Sequence, residues 1–161
     1  MKGKQFLCLL TIVSLIFSSC SKDNDNDYRD KYEGIYATDI IGLLILSYDD
    51  IFVPIKYNQN IVVNKHGVNQ LLFVIGGEII TVIVDEEGNF TIPPESGPVE
   101  LPLADDVLVT MDNMTIAASG TITSKTLHIT ETWSGDGILE IYGKKEPSEV
   151  SATIVYNGTK K

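Results

Sequence analysis

The stretch QLLFVIGGEIITVIVD, residues 70 to 85, leaves this chain few choices of fold. Two apolar runs rich in β-branched side chains flank Gly76-Gly77, and paired glycines supply the positive φ values that a two-residue hairpin turn demands. The same grammar recurs. VIVDEEGNFTI, residues 82 to 92, turns over 85–88, and ASGTITSKTLHITETW, residues 118 to 133, turns at Ser124-Lys125. Further strands are expected over 34–41, 43–47, 59–64, 107–111 and 151–159. No long segment has the i, i+3, i+4 apolar rhythm of a helix. Eight to ten strands with short connections point to an all-β domain, an antiparallel barrel or sandwich. Residues 40–57 stay open between a strand, a loop and a short helix, with their β-branched content and Pro54 favouring strand and loop.

Side-chain alternation gives the facing. Over 126–133, Leu127, Ile129, Glu131 and Trp133 fall on one side and Thr126, His128, Thr130 and Thr132 on the other. The hairpin at 71–84 is apolar on both faces, with Leu71, Phe73 and Ile75 pointing one way and Leu72 and Val74 the other. Both faces are therefore expected to be covered, the second by a partner, a ligand or a lid from residues 43 to 57, with cover from the chain itself favoured. Glu131 stands out because alternation sets a carboxylate in an apolar row. Burying such a group alone costs several kcal/mol, so it is either paired inside or sits at the rim facing water. With Trp133, Tyr36 and Tyr156 it forms the candidate ligand-binding set, and Tyr142 is a further aromatic at the cavity wall.

The first 20 residues follow different rules. Lys2 and Lys4 precede an apolar block from Phe6 to Phe17, and Ser18-Ser19 lead into Cys20. Twelve residues reach about 18 Å as a helix, short of the roughly 30 Å of a hydrocarbon core, so the block reads as a removable export signal over 1–19. Cys8 leaves with the signal, so the mature chain has no disulfide and only Cys20 as a thiol. SKDNDNDYRD, residues 21 to 30, is too polar to pack and reads as an acidic tether, giving a division into signal (1–19), anchor and disordered tether (20–31) and folded domain (32–161).

Two of the 12 Lys and Arg lie in the signal and all 22 Asp and Glu follow Cys20, so the mature chain carries −12. That charge repels nucleic acid and anionic headgroups. The two histidines do not build a catalytic or metal centre: His66 lies in a turn, and His128 and Glu131 fall on opposite strand faces. With no nucleophile elbow and no phosphate loop, the expectation is a protein that is not an enzyme and needs no cofactor or metal.

Two resemblances sharpen this. Small residues directly before Cys20 resemble the lipobox of bacterial lipoproteins, and SKDNDND behind it is similar to the export tag of surface lipoproteins of the Bacteroidetes. These imply palmitate-type acylation of Cys20, which anchors the chain to the outer membrane facing outward. YEGIY, IVVNKHGVNQLLFVI, GNFTI, ASGTITSKTLHITET and SATIVYNG together resemble the calycin-like, lipocalin-like β-barrel lipoproteins of gut Bacteroidetes. That implies a barrel of about eight strands with a closed bottom and an open mouth, either holding one small, partly apolar ligand or filled by its own side chains. In the second case, the barrel docks on an outer-membrane protein partner. Cys20→Ala is expected to abolish metabolic labelling with palmitate; labelling that persists would remove the lipobox reading.

Overall fold

The computed structural model describes residues 27–104 and 106–161. Eight antiparallel strands close into a barrel in chain order: β1 (Gly34–Leu46), β2 (Ile51–His66), β3 (Gln70–Ile75), β4 (Glu78–Val84), β5 (Asn89–Ala104), β6 (Val107–Ile122), β7 (Thr126–Ile141) and β8 (Lys144–Lys160). β8 returns to pair with β1 from Tyr36–Lys160 to Leu46–Val150. Alternation sets the facing as expected: Leu127 and Ile129 of β7 are buried, while Thr126 and His128 point to solvent.

Two pairs of expected strands merge into longer ones. Gly42 does not interrupt β1, because its bare Cα faces inward and a Cβ there would stand 2.8 Å from the Thr153 carbonyl oxygen. The segments at 107–111 and 119–123 are one strand, β6, bent by a register shift between Met111 and Thr115. The open stretch 40–57 resolves into the end of β1, a 3₁₀ turn at Tyr48–Asp50 and the start of β2. Asp49 and Asp50 take φ of 54° and 50°, a left-handed conformation that aspartate tolerates because its short side chain bonds locally.

Folded structure begins ahead of Tyr32, where the domain was expected to start. Tyr28–Lys31 form a 3₁₀ turn that closes the lower end of the barrel, so the folded body includes Asp27 to Lys31. Polarity misled here because these residues satisfy the ends of other elements rather than packing apolar surface. The Asp27 carboxylate caps the turn, accepting from the Arg29 backbone N–H and from its Nε and Nη2 at 2.7 to 3.0 Å. Those Arg29 bonds pull the Asp27 carboxyl down to about 2. Arg29 Nη1 donates to the carbonyls of His66, Gly67 and Gln70, gathering the β2–β3 turn, and Tyr28 Oη donates to Val84 O at 2.9 Å. Above this turn Tyr32 and Tyr36 are fully buried. Tyr36 Oη donates to the carbonyls of Tyr32 (2.8 Å) and Thr123 (3.0 Å), and Phe73 and Phe90 meet edge to face at 5.0 Å. Each such apolar side chain, fully buried, is worth about 1.5–3 kcal/mol. Gly120 makes room for the aromatic pair, since a Cβ there would lie 2.7 Å from the Phe90 ring.

The upper end is also packed, by Leu44, Leu46, Val109, Met111, Leu139 and Val150. Between the ends the wall is incomplete. β3 and β4 have six and seven residues against 13 to 17 in the other strands, and β4 pairs with β5 only at Ile83–Thr91 and Val84–Phe90. Above the β3–β4 tip, β2 and β5 therefore have one unpaired edge each. The opening is in the side of the barrel, not at its end. All six prolines stand where a strand lacks a partner on one side: Pro54 on β2, Pro93, Pro94, Pro98 and Pro102 on β5, and Pro147 on β8 between the β7–β8 turn and Val150, the last residue paired with β1. A proline has no N–H to offer an incoming strand, so these edges resist strand addition.

The outer face of the β3–β4 hairpin is not covered, contrary to expectation. Ile79 and Ile83 are 68% and 67% exposed, with Leu72 and Val74 half-buried beside them. Among the described residues no other element extends over them, because residues 40–57 complete the wall instead of forming a lid.

Burial pushes the Tyr36 phenol up to about 12. Below about pH 10 the phenol is neutral in both folded and unfolded chains. From there to pH 12 the unfolded tyrosine ionises while the buried one keeps its proton, so stability falls as pH rises. Chemical denaturation across pH 8–12 is expected to show that loss. Tyr36→Phe should be about 1–2 kcal/mol less stable at pH 7 and lose less on going to pH 12; identical alkaline curves would contradict the assignment.

Candidate functional site

Behind the side opening lies a cavity of about 790 Å³, within the size range of small-molecule sites. Its inner wall carries Glu131 and Trp133 of β7 and Tyr156 of β8, and its lip carries Tyr57 and Gln59 of β2, the β3–β4 tip, and Pro93 and Glu95 of β5. The geometry follows from strand periodicity. Glu131 and Trp133 are two apart on β7 and so share a face. Tyr156 pairs with Ile129, which places it diagonal to Glu131, within reach of a long side chain.

The three side chains form one bonded group. Tyr156 Oη donates to Glu131 Oε2 at 2.6 Å, and the Trp133 indole N–H donates to Glu131 Oε1. Each carboxylate oxygen thus has a donor, which is what tolerance of a carboxylate in an apolar row requires. Burial, then the bond to Glu131 and its charge, push the Tyr156 phenol well above its ordinary range. Across the cavity Tyr57 is also pushed up, by burial and then by the Glu131 charge, so the field of Glu131 reaches the lip.

Of the four expected ligand-binding residues, Glu131, Trp133 and Tyr156 come together. Tyr36 does not join them: it is a latch of the closed lower end, with no exposed surface. Tyr142 is 79% exposed in the β7–β8 turn at φ 49°, away from this cavity. Nor does Glu131 sit at the rim facing water; it points inward and is half-buried. Tyr57, Gln59, Glu78 and Glu95 were missed. The signal for the first two lay in the period of two counted back from buried Ile61, but it needed β2 to be recognised as one continuous strand.

His128 lies on the outer face, its Nδ1 2.9 Å from Asn157 Oδ1, opposite to Glu131 as expected. Among the described residues no three His, Cys, Asp or Glu side chains converge as metal ligands, and no helix is long and apolar enough to cross a membrane. Cys20 and the signal lie outside the described residues. What fold and cavity define is an eight-stranded antiparallel barrel with an acidic, aromatic chamber opening through its side. No protein-family model matches the chain, and no curated protein matches it.

Glu131→Gln replaces one acceptor oxygen with a donor NH₂, so one of the two donors loses its partner. An expected destabilisation of about 1–3 kcal/mol, read by urea denaturation, should couple to Tyr156→Phe in a double-mutant cycle by 0.5 kcal/mol or more. Strict additivity would mean that the phenol and the carboxylate do not act together.

Proposed function

We propose that the chain is a non-enzymatic binding lipoprotein. Acylated Cys20 anchors it to the outer membrane, facing outward, and its barrel takes up a small, partly apolar molecule through the side opening. The chamber carries this reading. It is about 790 Å³ in volume and walled by Ile75, Ile80, Ile92, Ile116 and Trp133, with one bonded carboxylate to orient a polar group. Largely apolar walls with a few placed polar groups are the usual make-up of a small-molecule site. The anchor rests on the leader, Ser18-Ser19-Cys20 and the acidic stretch behind it, and kinship with calycin-like lipoproteins rests on the hairpin pattern.

One observation favours a second reading, docking on an outer-membrane protein. Ile35, Val62, Val74 and Ile79 are successive register partners across β1 to β4, and they form an apolar row on the outside of the barrel. Such a row is poorly matched to water and well matched to a partner.

Native mass spectrometry of the protein after exposure to extracts of its own membrane and medium tests the two. A retained mass of a few hundred daltons, lost on Trp133→Ala, is expected. A bare protein mass in every extract would defeat the binding reading and leave the outer row as the functional surface.

A further inference from the structure

The chamber has a charge sign as well as a shape. Glu78, Glu95 and Glu131 all line it, and among the described residues no Lys, Arg or His does. Its strongest donors are already committed, because the Trp133 N–H and the Tyr156 O–H both point at Glu131. What remains for a guest is chiefly acceptor capacity, the second lone pairs of the Glu131 oxygens and the two carboxylates at the lip, together with the aromatic surfaces of Trp133, Tyr57 and Tyr156. An anionic guest would meet three carboxylates and no cation. A neutral guest rich in acceptors would find its side-chain donors only at the lip, the Tyr57 O–H and the Gln59 amide. A cation meets opposite charge, and aromatic faces attract it through their quadrupoles.

We infer that the chamber selects a cationic amphiphile: a protonated or quaternary amine on an apolar body, its head toward Glu131 and its body against Trp133 and the isoleucine wall. This rests on the chamber being a binding site, as proposed above, and adds the class of guest. The Trp133–Glu131 bond fixes the indole plane beside the carboxylate, so one head group can engage charge and aromatic ring together.

Three probes with the same tail separate the class from the site: n-octylammonium, n-octanol and n-octanoate, each below its micelle concentration at pH 7.5. They are titrated into the full chain by calorimetry and by fluorescence of Trp133, the only tryptophan. Octylammonium is expected to bind at least tenfold more tightly than octanol, with octanoate weakest. The preference should shrink at least threefold in Glu131→Gln and in Glu78→Gln/Glu95→Gln. The second variant changes only exposed lip residues, which keeps the test decisive should the first fail to fold. Glu87→Gln/Glu100→Gln lowers the net charge equally, away from the chamber, and should leave the preference unchanged. Equal binding of octanol and octylammonium, or tighter binding of octanoate, would overturn the cationic class while leaving a binding site. A preference that shrinks as much in Glu87→Gln/Glu100→Gln as in Glu78→Gln/Glu95→Gln would reduce it to surface attraction and overturn it too. Failure of all three probes to bind would remove the binding reading itself.

Discussion

Six strands of 13 to 17 residues cannot form a continuous wall with a hairpin of six and seven. The shortfall falls entirely above Gly76-Gly77, where β2 and β5 lose their neighbours, and most of the molecule's other features answer to it. An unpaired strand edge invites another strand, and proline is the residue that denies the missing hydrogen bond. Five of the six prolines lie on the two edges that border the gap. The register shifts of β5 at Ile92–Glu95 and Gly97–Val99 bend the same edge further from a flat template. The edges that border the gap thus resist being sealed by strand addition.

An opening at mid-height also sets what the interior can hold. Both ends are filled, the lower by Tyr32, Tyr36, Phe73 and Phe90 and the upper by Leu44, Leu46, Met111 and Leu139, so the barrel owes its core to its ends. Only the waist meets water. Replacing a buried polar cluster by apolar side chains of like volume is often neutral or stabilising, so Glu131, Trp133 and Tyr156 are not the most stable filling available there. A carboxylate bonded on both oxygens, beside open volume, fits the fixed acceptor that the proposed binding role requires.

Much of this was legible in residue order, and the misses have physical causes. Gly76-Gly77 and the 85–88 turn placed β3, β4 and the start of β5 because tight turns need particular residues. Alternation put Glu131 beside Trp133 because strand period is rigid. Tyr36 was misassigned because an aromatic on an inward row reads the same whether it lines a chamber or latches carbonyls; only the depth of the barrel distinguishes them. Gly42 looked like a break but is a packing need, set by Ile154 more than a hundred residues away. The missing wall was invisible because it depends on comparing strand lengths across the sheet, and β2 and β5 each seemed shorter than they are.

The N-terminal latch constrains how such a barrel would sit on a membrane. Asp27 is bonded into the lower end, and only six residues separate it from Cys20, seven residue steps that span at most about 25 Å. With the proposed lipid on Cys20, the closed end faces the bilayer and cannot stray far from it. A chamber opening through the top of the barrel would then point away from the membrane, and one opening through the base would be blocked by it. An opening in the side lies along the membrane plane, with its acidic lip within reach of molecules that collect near the surface. With the proposed anchor, the latch, the short hairpin and the sign of the lip carboxylates fit the cationic class of guest inferred above.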